Sequence, residues 1–149
     1  MDVFLEFRSL ANCFESQQIR YALVGGVALA VHGFPRFTQD IDLMVHPVDL
    51  AQALQMLGTQ GFEESAPAWD FEHAPLRLHR YAKVAGEDVL LVDVLEPLND
   101  GHCEMVLRAE FYADGDQVLR LISKTDLIAL KRLRNSDQDR LDISQLELP

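Results

Sequence analysis

The sequence is poor in cysteine and in long apolar runs, and each shortage argues against a class of protein. Its two cysteines, Cys13 and Cys103, form neither a CxxC motif nor a metal-binding spacing, so we expect reduced thiols in a cytoplasmic protein. No apolar run reaches the roughly 18 residues that a membrane span needs. The first residues include acids and lack the basic region of a signal peptide. We therefore expect neither a disulfide-stabilised secreted domain nor a membrane protein.

Basic residues are also scarce. The sequence has 13 lysines and arginines and 24 acidic residues, which gives a formal net charge of −11. Binding to nucleic acid depends on Lys and Arg at the phosphates, so this balance argues mildly against a large nucleic-acid surface. It is compatible with a cationic ligand or a basic partner protein, although net charge more often serves solubility alone. The length of 149 residues suits one domain, with a core over about 1–122 and C-terminal helices over about 123–147.

Hydrophobic periodicity and turn residues predict alternating helices and strands along the chain. The predicted helices span residues 3–18, 25–33, 48–61, 123–137 and 137–147. The predicted strands span residues 21–24, 40–46, 61–65, 76–84 and 87–97, and a further hairpin surrounds Asp114-Gly115. Residues 66–73 and 99–101 are predicted to be loops. This order predicts an α/β (α+β) fold with a mixed sheet packed by helices.

Two carboxylates, Asp40 and Asp42, interrupt the otherwise apolar segment DIDLMV. Because side chains on a strand alternate between its faces, an extended segment places both aspartates on one face and Ile41 and Leu43 on the other. Two carboxylates this close repel each other, and a divalent cation relieves that repulsion. Hard oxygen ligands of this kind suit Mg²⁺ or Mn²⁺.

A third carboxylate, Asp93, lies in the apolar segment LLVDVL, where it is unfavourable unless it meets a cation or hydrogen-bond donors. If the two strands are neighbours, Asp93 joins Asp40 and Asp42, and three carboxylates can hold two metal ions for phosphoryl transfer. Gly25 and Gly26 separate a strand from a helix, where backbone N–H groups and the helix dipole attract an anion. Each feature alone is more often structural, but their combination in this order is far more specific.

The Gly-Gly pair, 13 intervening residues, DID and the later aspartate of LVDVL together resemble the nucleotidyltransferases of the DNA polymerase beta superfamily. The longer segments VGGVALAVHGFPRFTQDIDL and KTDLIALKRLRNSDQDRLDI are similar to AbiEii-type and minimal nucleotidyltransferases. The resemblance implies the nucleotidyltransferase fold with short C-terminal helices. It also implies an enzyme that uses Mg²⁺ or Mn²⁺ to move a nucleoside monophosphate from ATP, or another NTP, to a hydroxyl acceptor.

The same resemblance implies a role for each acid. The paired acids of the family bind the metal ions, which carries over to Asp40 and Asp42. The third acid, which matches Asp93, ligates a metal and can deprotonate the acceptor hydroxyl.

The resemblance also implies a set of nucleotide-binding residues. The glycine turn of the family holds the phosphates, which carries over to Gly25 and Gly26, although Gly26 lacks the serine hydroxyl that many relatives have. Arg36 and Thr38 match family positions ahead of the acids, and Lys131 matches a lysine near the triphosphate. The alternatives are an ion pair with one of the acidic residues for Arg36 and a solvated basic helix face for Lys131.

The acceptor is not indicated, and a protein, a tRNA end and a small cationic molecule all stay open. The negative net charge disfavours tRNA and favours a basic acceptor. The resemblance suggests a toxin–antitoxin or phage-defence setting, with a partner toxin or a homodimer. The rival interpretation is a catalytically silent nucleotide-binding or antitoxin-like subunit, and the presence of all three acids counts against it.

Overall fold

The computed structural model describes residues 2–34 and 40–149. The helices are α1 Val3–Ser16, α2 Gly25–Val31, α3 Leu50–Thr59, α4 Asp100–Leu107, α5 Lys124–Arg134 and α6 Asp137–Leu146, and a short 3₁₀ helix spans Pro47–Asp49. The strands are β1 Tyr21–Val24, β2 Asp40–Val45, β3 Glu63–Glu64, β4 Trp69–Asp70, β5 Leu76–Ala85, β6 Asp88–Pro97, β7 Glu110–Asp114 and β8 Gln117–Leu121. This mixture of helices and strands confirms the predicted α/β (α+β) fold class.

Within the described ranges the strands form one eight-stranded mixed sheet. Their order is β3-β5-β6-β2-β1-β8-β7, and β4 pairs beside β5. β2 runs parallel to β6 and β1 parallel to β8, whereas β1–β2 and β5–β6 are antiparallel. The register places Val24 opposite Asp42, and Asp42 opposite Asp93. The register therefore places the end of β1, Asp42 of β2 and Asp93 of β6 at one level across the three central strands.

The core lies around these central strands. All four residues of β1 are buried, and Ile41 and Leu43 of β2 are fully covered, as their alternation with the aspartates predicts. Helix α1 buries Phe7 and Phe14, and Phe14 meets the Tyr21 ring edge-on at 5.5 Å between centroids. Each such side chain contributes about 1.5–3 kcal/mol by leaving water, so this packing holds β1 and β2 rigidly.

Two predicted loops contain regular structure. In the segment 66–73, Trp69 and Asp70 form β4 against β5, a pairing that local sequence cannot reveal because it depends on a distant strand. The predicted loop 99–101 is wrong because Asn99 is the N-cap of α4, where its side chain accepts the backbone N–H of His102 at 2.8 Å. An asparagine N-cap is a helix signal as well as a turn signal.

The other elements follow the prediction with small shifts of their ends. The hairpin near Asp114 forms, but its turn residues are Gly115 and Asp116, because Asp114 pairs with Gln117. Both cysteines are free thiols. None of the helices in the described part of the chain has the length and apolar character needed to cross a bilayer.

Candidate active site

Strands β2 and β6 place two of the predicted acids side by side. The strands run parallel, and the Cα of Asp42 is in register with the Cα of Asp93. Residues in register on neighbouring strands point to the same face of a sheet, and Asp40, two residues before Asp42, shares that face. The structure therefore brings Asp40, Asp42 and Asp93 together from two separate segments of the chain.

Burial and neighbouring charges alter the acidity of Asp40 and Asp42. Burial, and then the charges of Asp93 and Asp40, raise the pKa of Asp42 to about 7. Burial and then the charge of Asp93 also raise the pKa of Asp40 above its ordinary value. A group of acids that resists ionisation in this way is stabilised by any cation that approaches it.

Asp93 is held by an arginine that the sequence interpretation missed. Arg80 lies opposite Asp93 on β5, and its Nε and Nη2 donate to the two carboxylate oxygens at 2.8 and 2.9 Å. Its guanidinium also lies 5.4 Å from the centre of the Trp69 ring. The sequence did carry a signal for this pair, because a two-residue turn at Gly86-Glu87 requires residue 80 to face residue 93.

Asp93 is therefore paired with a cationic side chain as well as lying beside the other acids. Across residues 2–34 and 40–149, no three His, Cys, Asp or Glu side chains have the arrangement of a metal site. Arg80 occupies both oxygens of Asp93 through a bidentate pair, the strongest geometry between these two side chains. Release of Arg80 from Asp93 would open these oxygens to another cation.

The glycine turn lies directly against Asp42. Gly25 has a φ of +68°, in the left-handed region, and a Cβ at this position would lie 2.7 Å from Cγ and 2.8 Å from Cβ of Asp42. Only glycine fits both the backbone conformation and this close approach. Gly26 is buried in the first turn of α2, so the turn joins the end of β1 to a helix start beside the acids.

Helix α5 adds positive charge to the same space. Lys131 and Arg134 line a cavity of about 150 Å³ together with Asp42 and Asp93, and both lower the pKa of Asp42. Arg134, which the sequence interpretation also missed, lies one helical turn beyond Lys131 and thus on the same side of α5.

Both cations also have partners on α6. The ammonium of Lys131 donates to Asp142 Oδ2 at 2.8 Å, and both side chains are almost completely buried. Arg134 forms a bidentate pair with the buried Asp139 at 2.7 Å. The ion pairs therefore attach α6 to α5, and they hold Lys131 and Arg134 beside the acids.

Arg36 and Thr38 lie in the segment 35–39, outside the described residues. Their contacts with a nucleotide stay predictions.

A comparison with protein families identifies the family of this chain. The model of a family described as uncharacterised nucleotidyltransferases matches residues 2–130. The chain belongs to this family. A nucleotidyltransferase is an enzyme that moves a nucleoside monophosphate, which agrees with the predicted reaction class. No protein of curated function matches the sequence.

Solved structures share the fold of this nucleotidyltransferase. The lincosamide antibiotic adenylyltransferase LnuA, with lincomycin bound, is 17% identical with a TM-score of 0.63, and the match covers 95% of this chain and 94% of LnuA. The solution structure of the antibiotic-resistance factor ANT(2'')-Ia is 10% identical with a TM-score of 0.65, covering 98% of this chain and 84% of that one. A crystal structure of ANT(2'')-Ia contains adenylyl-2''-tobramycin. At these identities the likeness concerns the fold, over nearly the whole chain.

Proposed function

We propose that this nucleotidyltransferase transfers AMP from ATP to a hydroxyl group in a reaction that requires Mg²⁺ or Mn²⁺. The observation that carries the proposal is the register of β2 and β6, which sets Asp42 beside Asp93 while Gly25 lies against Asp42. Carboxylate oxygens from Asp40, Asp42 and Asp93 suit a hard divalent ion. Burial and then the neighbouring carboxylate charges raise the pKa values of Asp40 and Asp42, and such an ion would neutralise these charges. A bound ion would supply Lewis-acid stabilisation of the reacting phosphate.

The side chains of the site have distinct roles in this proposal. The hydroxyl oxygen of the acceptor attacks the α-phosphorus of ATP, and its proton passes to the carboxylate of Asp93. The bond between the α-phosphorus and the bridging oxygen to the β-phosphate breaks, and pyrophosphate leaves. The backbone of Gly25 and Gly26 holds the phosphates, and Lys131 and Arg134 add positive charge from α5.

Arg36 and Thr38 complete the nucleotide-binding set of the proposal. Their positions shortly before the acids are those that the resemblance to the superfamily assigns to nucleotide binding. An arginine at this position can form a bidentate contact with phosphate oxygens.

A small molecule is the acceptor class that the comparisons favour. Lincomycin occupies LnuA and an adenylylated tobramycin occupies ANT(2'')-Ia, and both proteins share this fold over nearly its whole length. The net charge of −11 supports a cationic acceptor over a tRNA end. AbiEii-type kinship, a toxin–antitoxin setting and a cytoplasmic location stay hypotheses that depend on the sequence resemblance alone.

A transfer assay tests the proposed reaction. With α-labelled ATP, Mg²⁺ and a mixture of hydroxylated amines, the wild-type chain should release pyrophosphate and form a labelled adduct. Asp93→Asn should lower the rate at least about a hundredfold, because it removes the proton acceptor and a metal ligand. Asp88→Asn, a change at the exposed start of the same strand, is the matched control. Equal rates for wild type and Asp93→Asn would favour the catalytically silent subunit.

Arg80→Gln should lower the Mg²⁺ concentration needed for half-maximal activity by about tenfold. Arg80 repels a divalent ion and occupies both oxygens of Asp93, so its removal strengthens ion binding by roughly one to two kcal/mol. Arg77→Gln is the control, because Arg77 lies on the other face of β5 in an exposed pair with Asp70. A Mg²⁺ requirement that is unchanged or higher in Arg80→Gln would show that Arg80 does not compete with the ion.

A further inference from the structure

The residues of the site form a row across one face of the sheet. Gly25 follows β1, Asp42 lies on β2, Asp93 on β6 and Arg80 on β5, and each strand in this series is hydrogen-bonded to the next. Trp69 from β4 ends the row, with its ring over Arg80. The glycine turn and the tryptophan therefore lie at opposite ends, with the acids between them.

A second cavity, of about 430 Å³, opens at the Trp69 end of this row. Its walls are the segment 69–74 and the residues Leu130, Leu133 and Arg134 of α5. Phe71 and Leu130 line both this space and the aspartate cavity, so the two spaces adjoin. The volume lies in the range of small-molecule pockets, roughly 300–1,000 Å³.

The in-line geometry of nucleotidyl transfer indicates that the acceptor substrate occupies this space. In phosphoryl and nucleotidyl transfer, the attacking and leaving oxygens lie roughly in line on opposite sides of the phosphorus. If the glycine turn holds the leaving phosphates, the acceptor must approach from the Arg80 and Trp69 end. We propose that the second cavity is the acceptor subsite and that it takes a small hydroxyl-bearing amine with an apolar face; this inference rests on the proposed function.

The lining of the cavity matches that chemistry. Trp69 is 40% exposed and Leu133 is 38% exposed, and Phe71 lines the same cavity, so an apolar surface is available to a ligand. Two acidic residues, Asp70 and Glu72, are among the lining residues. Asp70 is paired with Arg77, whereas the exposed Glu72 makes a long contact of 3.9 Å with Nε2 of His73, so Glu72 can meet an ammonium group. Arg134 in the wall is neutralised by its pair with Asp139. The aromatic and carboxylate groups therefore favour a cationic, partly apolar ligand over a phosphate-bearing one.

Trp69 gives a direct readout, because it is the one tryptophan in the sequence. We expect ephedrine, which carries a ring, a hydroxyl and an amine, to shift the Trp69 emission saturably at millimolar concentration. The shift should weaken with 1-phenyl-1-propanol, which lacks the amine, and with 1-amino-2-propanol, which lacks the ring. The Mg²⁺ complex of α,β-methylene ATP should bind without competing with ephedrine.

A charge change in the wall of the cavity provides the variant test. Leu133→Arg places a cation beside the expected ammonium and removes apolar surface, so ephedrine should bind at least about tenfold more weakly. The nucleotide analogue should retain its affinity. Leu141→Arg, an equally drastic change at the exposed Leu141 of α6, is the control and should leave both affinities unchanged.

Two results would overturn the assignment. Competition between α,β-methylene ATP and ephedrine would identify the cavity as the site of the nucleobase, and an unchanged Trp69 emission with ephedrine would exclude the proposed ligand class. The fluorescence measurement needs no turnover, so it separates the two proposals. A chain that binds ephedrine at Trp69 but transfers no AMP in the labelled-ATP assay would retain the subsite and contradict the proposed function.

Discussion

Asp42→Asn is expected to lower nucleotidyl transfer at least about a thousandfold and to make the metal-free protein more stable at neutral pH. The pKa of Asp42 rises from 3.8 to about 7 because of burial and the neighbouring charges of Asp93 and Asp40. An acid whose pKa is higher in the folded state destabilises that state as the pH rises above the unfolded value. The destabilisation develops between about pH 4 and pH 7 and reaches at most about 4 kcal/mol, which asparagine avoids.

Urea unfolding in the presence of a chelator measures this effect. Wild type should lose stability relative to Asp42→Asn between about pH 4 and pH 7, and added Mg²⁺ should reduce the difference in stability by stabilising the wild type. Asp116→Asn, a change in the exposed turn between β7 and β8, should follow the wild type. A difference that does not vary with pH, or transfer that survives in Asp42→Asn, would contradict the role given to Asp42.

Gly25→Ala should lower activity by more than about a hundredfold and destabilise the fold by about 3 kcal/mol or more. The left-handed backbone at Gly25 costs an alanine about 1–2 kcal/mol. The new methyl group would also lie within 3 Å of the Asp42 side chain, which must then shift from its position in the site. A displacement of about 1 Å in a catalytic group is enough for a rate loss of this size.

Gly86→Ala is the matched control for the cost of placing alanine in a left-handed backbone conformation. Gly86 has a φ of +64°, close to the +68° of Gly25, but among the described residues other than its chain neighbours no heavy atom lies within 4 Å of the position of a Cβ at Gly86. The control should therefore lose about 1–2 kcal/mol and keep its activity. If both variants lose the same stability and both remain active, the contact between Gly25 and Asp42 has no importance for the site.

Local pattern was sufficient for much of the fold and for the acids of the site. The alternation in DIDLMV predicts that Asp40 and Asp42 share a face opposite Ile41 and Leu43, and the burial of β2 agrees. The sequence could not predict that β6 lies beside β2, because this parallel pairing joins segments about fifty residues apart. The grouping of Asp93 with Asp40 and Asp42 was therefore conditional on that pairing. Periodicity along one segment carries no information about its distant partner.

The residues that sequence reasoning missed are those whose roles depend on such partners. In the sequence, Arg80 is only one of several polar residues in an alternating strand. Its role follows from the register of β5 and β6, which places it opposite Asp93. In the sequence, Arg134 is a basic residue at a helix C-terminus, which is common. Its role follows from the packing of α5, which brings Arg134 into the cavity of Asp42 and Asp93. Trp69 reads as part of a loop because β4 has only two residues, and its strand pairing comes from β5.

Diffraction from crystals soaked with Mn²⁺ and α,β-methylene ATP, recorded at the manganese absorption edge, tests most directly whether the acids form a metal site. We expect an anomalous peak in contact with the carboxylates of Asp42 and Asp93, and the phosphates of the analogue beside Gly25. Nucleotide bound with no manganese at Asp42 and Asp93, or manganese bound only elsewhere, would contradict metal-dependent transfer at this site.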